Sequence, residues 1–144
     1  PNLSDSEKER IKSKLFLNHN QKVFFTTIGY EECVFSSDSD LKVSEIRNKE
    51  KLLLAGIAKP EPFFEFLKSE KDIVLKYPDH HNFSDSEIEE IKQKANSKII
   101  ITTEKDYVRI KDKFDSNQLF YLPIRTEFLS DMDSFNRLIV DTII

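Results

Sequence analysis

Four apolar runs of strand length, each followed by a segment with helical spacing, constrain this chain more than any other feature. The runs occupy residues 51–57, 72–77, 98–101 and 119–122. They are nearly continuous rather than alternating, the pattern of strands buried on both faces. Pro60 or Pro62 can open the first intervening helix, with Phe63, Phe64 and Leu67 on its apolar face. Ser84 and Glu87 form a capping box before Ile88, Ile91 and Ala95, and a short helix runs through Val108 and Ile110. Ser130 or Asp131 caps a closing helix with Phe135, Leu138, Ile139 and Ile143. Strand and helix thus alternate from Lys51 to the end, which predicts an α/β fold with a largely parallel sheet flanked by helices.

The upstream part reads differently. Ser4 and Glu7 form another capping box, which predicts a helix over 5–17. Residues 22–28 and 31–35 carry β-branched and aromatic side chains and read as strands. Residues 36–49 are polar, with no settled period, and 38–50 is expected to be a linker or flexible loop. The expected division is therefore 1–37, the linker at 38–50, and an α/β domain over 51–144. The chain opens at Pro1 without a methionine, directly before a helix start, as expected of a fragment of a longer protein.

Composition excludes several functions. Cys33 is the single cysteine, so no internal disulfide and no cysteine-based zinc site can form. Two glycines leave little material for a glycine-rich phosphate loop, and no Gly-x-x-x-x-Gly-Lys-Ser/Thr pattern occurs. Net charge is −4, with lysine and glutamate interleaved, so no basic surface for nucleic acid is expected. No run reaches the roughly 20 apolar residues of a membrane helix. Phe63, Phe64, Phe66 and Leu67 could touch a membrane, but helix core is the better reading.

In parallel sheets ligands collect at the carboxyl ends of the strands. Residues 56–60, 78–83 and 102–106 would all emerge there. The middle segment holds Asp79, His80 and His81, two of the three histidines beside an acid. Imidazole titrates near neutrality, so such a pair suits proton transfer or metal binding, against the alternative of a solvated loop. Glu104 and Asp106 suit the start of a helix, where acids favour the dipole. Lys105 has no such explanation and is a candidate for contact with a ligand.

Three functional readings follow. Asp79-His80-His81 resembles the motif of DHH phosphoesterases, with Asp38 and Asp40 as further metal ligands. The glycine-rich substrate segment of that family has no counterpart here. A second resemblance draws on more of the chain. Ala55-Gly56-Ile57-Ala58-Lys59-Pro60-Glu61-Pro62-Phe63-Phe64 resembles the Ala-Gly-Ile-x-x-Pro-x-x-Phe-Phe segment of tetraacyldisaccharide 4'-kinases, the lipid A kinases of Gram-negative bacteria. Tyr77-Pro78-Asp79-His80-His81-Asn82-Phe83 is similar to that family's Phe/Tyr-Pro-Asp-His-His-x-Phe loop, and Thr102-Thr103-Glu104-Lys105-Asp106 to its Thr-Thr-Glu-Lys-Asp segment. The segments follow in the family's order.

That resemblance implies a Rossmann-like three-layer domain from the C-terminal portion of a kinase. The kinase would use ATP and Mg²⁺ to phosphorylate the 4'-hydroxyl of a lipid A disaccharide precursor at the cytoplasmic face of the bacterial inner membrane. It implies that residues 1–37 end an N-terminal P-loop domain, which would bind most of the ATP and the Mg²⁺ and is this chain's own partner. It further implies that His80 is catalytic and that Asp79 orients it, with Lys105, Glu104 and His81 near the substrate. The fragment alone is expected to be inactive. The third reading is an α/β interaction module without enzymatic activity.

Overall fold

The computed structural model describes residues 3–143. Its elements are α1 (Asp5–Lys14), β1 (Thr26–Tyr30), β2 (Cys33–Phe35), β3 (Asp40–Lys42), α2 (Val43–Ile46), β4 (Leu52–Ala55) and α3 (Glu61–Leu67). There follow β5 (Ile73–Lys76), α4 (Asp85–Ala95), β6 (Ile100–Thr103), α5 (Glu104–Ile110), a 3₁₀ turn at Lys111–Lys113, β7 (Leu119–Leu122), β8 (Ile124–Phe128) and α6 (Met132–Ile143). The chain divides into two compact units. One is Tyr30–Pro123, and the other combines the residues up to Gly29 with those from Ile124 on.

The unit Tyr30–Pro123 is a six-stranded sheet in the order β3-β2-β7-β6-β4-β5. The four predicted runs are its four parallel strands: β4 pairs in parallel with β5 and β6, and β6 with β7. β2 joins β7 antiparallel and β3 joins β2 antiparallel. Leu52, Leu53, Leu54 and Ala55 are all fully buried, because alternate residues of a strand enter opposite layers. Leu53, Ala55, Ile101, Phe120 and Leu122 pack with Val43 and Ile46 of α2 and with Phe63, Phe64 and Leu67 of α3. Leu52, Leu54, Ile100 and Leu119 pack with Ile88, Ile91 and Ala95 of α4 and with Tyr107 and Ile110 of α5. Phe63 and Phe64 of α3 are therefore core, and the half-buried Phe66 packs against it. Among the described residues, no helix is long and apolar enough to cross a membrane.

Both capping boxes form. Ser4 and Ser84 accept from the amides of Glu7 and Glu87, whose carboxylates accept from the serine amides. The first helix is shorter than expected and ends at Lys14, with Leu15 as its cap.

The boundaries differ from expectation. Residues 38–50 are not a linker: they hold β3 and α2, and Val43 and Ile46 enter the core. A three-residue edge strand and a four-residue helix are too short to show a period, so the segment reads as polar coil. β2 belongs to the sheet rather than to the upstream unit. The closing helix α6 lies in the unit with α1, and β8 stands between it and β7. In that unit β1 pairs with β8, two strands forming their own sheet. The strand expected over 22–28 begins only at Thr26. Phe24 instead packs edge-on against Phe135 and Phe128, at ring-centre distances of 5.2 and 6.5 Å.

At the amino ends of β4 and β5, Lys51 and Asp72 form an ion pair of 2.7 Å with both side chains fully buried. Lys51 Nζ also donates to the carbonyls of Arg47 and Lys49, and Asp72 accepts from the amide and hydroxyl of Ser69. This network lies at the amino edge of the sheet, opposite the loops that leave the carboxyl ends of the strands.

Candidate functional site

β6, β4 and β5 are neighbours and run parallel, so the segments after them emerge side by side at the carboxyl edge. Asp106 ties two of them together. It is fully buried, and its Oδ2 accepts from the Gly56 amide at 2.8 Å and from the Thr103 hydroxyl at 2.7 Å. The Thr103 hydroxyl in turn accepts from the Asp106 amide, capping α5. Asp106 is thus more than an acid favouring a helix dipole, because it fixes the end of β4 against the start of α5.

Gly56 lets the third segment approach. A Cβ there would lie 3.1 Å from Asp106 Oδ1, 3.3 Å from the Pro78 carbonyl oxygen and 3.6 Å from His81 Cβ. Gly56→Ala is expected to destabilise the fold by about 1–3 kcal/mol through overpacking. Chemical denaturation measures this, and an unchanged midpoint would mean that the 78–81 loop yields freely.

Pro78–His81 is a tight turn closed by the His81 amide donating to the Pro78 carbonyl at 3.3 Å. His80 occupies its third position with φ 58°. Turns with a left-handed residue there normally use glycine, since a side chain costs energy in that region. The strained position projects the imidazole outward, with 71% of the side chain exposed.

Two cations from α5 meet this turn. Lys105 Nζ donates to Asp79 Oδ1 at 2.7 Å and lies 3.4 Å from His80 Nε2. Arg109, one helical turn further on, places Nη2 3.4 Å from His80 Nδ1 and Nη1 3.4 Å from the His81 carbonyl oxygen. Asp79 Oδ1 also accepts from the His80 amide at 3.0 Å, and its Oδ2 lies 3.7 Å from His80 Nε2.

Lys105 above all, and then the neighbouring His80, hold the Asp79 carboxyl below the usual carboxylate range. The sign follows from this lowering. The Asp79–Lys105 pair is complete above the ordinary carboxylate value and is lost as pH falls through the lowered one. A carboxyl carbon NMR titration should place the Asp79 midpoint below that of an unpaired aspartate, and Lys105→Gln should raise it. A midpoint that stays put in that variant would rule out the contact.

The expected site residues separate into two groups. Asp79, His80 and Lys105 come together. His81 does not face outward with them: it is 21% exposed, its Nε2 lies 2.9 Å from Glu87 Oε1, and its ring lies tilted against Tyr77 and edge-on to Phe83, at 4.8 and 4.9 Å. The second oxygen of Glu87 caps α4, so one carboxylate anchors both helix and loop. Glu104 is exposed on the first turn of α5, outside the cluster. Arg109 belongs to the cluster and was not among the expected residues, although its spacing of four from Lys105 on a short helix was the available signal.

Asp38 and Asp40 do not join Asp79. They lie by β3, at the sheet edge opposite β5. No group of three metal-ligating side chains forms among the described residues. The phosphoesterase resemblance therefore lacks its ligand set.

The α/β unit thus brings an acid, an imidazole and two cations together at the carboxyl ends of its parallel strands. The chain belongs to the tetraacyldisaccharide-1-P 4'-kinase family, whose family model matches residues 3–144. It is 50% identical to the tetraacyldisaccharide 4'-kinase of Flavobacterium johnsoniae over 135 residues, covering 94% of this chain and 40% of that protein. The enzyme of the same name from Flavobacterium psychrophilum is 47% identical over 141 residues, covering 96% and 41%. That from Bacteroides thetaiotaomicron is 33% identical, covering 90% and 40%. The chain thus spans about 40% of the length of these relatives. Its fold is similar to that of the crystal structure of LpxK from Aquifex aeolicus in complex with ATP. The TM-score is 0.59 at 18% identity, over 87% of this chain and 38% of that one.

Proposed function

We propose that this chain is the C-terminal portion of an ATP-dependent kinase that phosphorylates the 4'-hydroxyl of a tetraacyldisaccharide 1-phosphate lipid A precursor. Family membership supports the reaction class. The observation that carries the residue assignment is His80, held at φ 58° where a turn would favour glycine, with its ring exposed among Asp79, Lys105 and Arg109. Strain of this kind persists where a side chain is needed in one place.

His80 orients or strengthens an acid supplied by an N-terminal P-loop domain, next to the sugar hydroxyl that attacks. Asp79, pinned by Lys105, fixes the turn and thereby the ring. Phosphoryl transfer depends mainly on positioning and charge stabilisation, so a domain that lends an imidazole contributes without cradling the nucleotide.

Among the described residues no group of three His, Cys, Asp or Glu side chains that could hold a metal forms, and the sequence has no P-loop pattern. ATP and Mg²⁺ are accordingly assigned to the N-terminal domain, and this chain alone should be inactive. The full-length protein would work at the cytoplasmic face of the inner membrane, where its lipid substrate is presented.

The test is transfer of labelled γ-phosphate from ATP to tetraacyldisaccharide 1-phosphate. Transfer by the full-length protein and none by this chain is the expected result. No transfer by the full-length protein, or turnover by this chain alone, would overturn the proposal.

A further inference from the structure

We infer that Lys105 and Arg109 form a two-cation clamp across the His80 ring that binds a phosphate group. The choice of phosphate rests on the phosphoryl-transfer reading above, whereas the clamp itself rests on geometry.

The two cations stand four residues apart on one face of α5, and each faces a different nitrogen of the same imidazole. The ring cannot accept from both of them. An uncharged imidazole has one acceptor nitrogen and a protonated one has none, so at least one cation faces a nitrogen that cannot accept. Lys105 has another partner in Asp79. Arg109 has none of that kind: among the described residues it pairs with no carboxylate, and its two contacts are both 3.4 Å, at the outer limit of a hydrogen bond.

Three acids of the turn and of α4 already have partners. Asp79 holds Lys105, Glu87 holds His81 and the Ser84 cap, and Asp85 pairs with Lys113. The guanidinium carries five donors in a planar fork that suits phosphate oxygens, and it is exposed. An acceptor-only dianion between the two cations gives both an acceptor and releases the ring to a single partner.

Two sources present this chemistry: the polyphosphate of a nucleotide and the phosphate monoester of a sugar. The probes are therefore inorganic pyrophosphate and N-acetylglucosamine 1-phosphate, titrated into this chain at constant ionic strength while the His80 ring nitrogens are followed by NMR. Saturable movement of those signals is expected with at least one probe, and the tighter probe identifies the source. Arg109→Gln should weaken binding at least tenfold, with Arg109→Lys intermediate because a lysine offers no fork. Lys98→Gln, at the opposite end of β6, should leave affinity unchanged. His80 signals that do not move, or equal affinity in Arg109→Gln, would overturn the clamp. Binding is read here without turnover. An inactive full-length protein whose domain still binds phosphate would defeat the kinase reading alone, and an active one without phosphate binding would defeat the clamp alone.

Discussion

Asp72→Ala is expected to remove about 3–5 kcal/mol of folding stability, the usual cost of leaving one partner of a buried ion pair unpaired. Lys51 Nζ would retain only the Arg47 and Lys49 carbonyls, with its charge sealed beneath the sheet. Asp72 also anchors the turn into β5 through the Ser69 amide and hydroxyl and accepts from the Lys51 amide, so the loss extends beyond the charge. Against a typical domain stability of about 5–15 kcal/mol, this brings the fold close to its limit. Lys51→Met with Asp72→Leu removes both charges together and should cost much less than Asp72→Ala. Urea denaturation with a common m-value measures each difference. A loss below about 1 kcal/mol for Asp72→Ala would show that water reaches the pair, which is then worth no more than a surface bridge. Because the pair lies at the amino edge of the sheet, whatever fraction of Asp72→Ala remains folded should keep the geometry of the 78–81 turn.

The sheet was legible because its strands are buried on both faces. Leu52, Leu53 and Leu54 leave no reading other than a central strand, and the helices between the runs carry apolar residues at regular intervals. What escaped was short or cooperative. β3 and α2 span three and four residues, below the length at which a period is visible. Nothing in the sequence marks Lys51 and Asp72 as partners, and only the pairing of β4 with β5 brings them face to face in the interior. The candidate site divided along the same line. Asp79 and His80 were legible as a motif, and Lys105 as a charge with no helical explanation. The place of His81 was not legible because its partner Glu87 already had a role in the capping box, and its ring contacts with Tyr77 and Phe83 are tertiary. Arg109 lay outside every motif and joins the cluster only because α5 runs past the turn.

His80→Gly is the substitution that best separates structure from chemistry in this cluster. Glycine populates positive φ without steric cost, so the native turn conformation at φ 58° is relieved. The opposing term is the greater freedom of glycine in the unfolded chain, roughly 0.5–1 kcal/mol. The two are of similar size, so the stability of His80→Gly should stay within about 1 kcal/mol of the native chain. In the full-length protein, turnover should nevertheless fall by about 10²–10⁴-fold, the range for losing a positioned acid–base group. His80→Ala should lose as much activity and additionally some stability, since alanine keeps the strain that glycine relieves. The comparison is made with kinase rates and denaturation midpoints on the same preparations. Native turnover in His80→Gly would make the imidazole a bystander, and the residue in the left-handed position would then need an explanation other than catalysis. A stable, inactive His80→Gly is what an imidazole held for chemistry predicts.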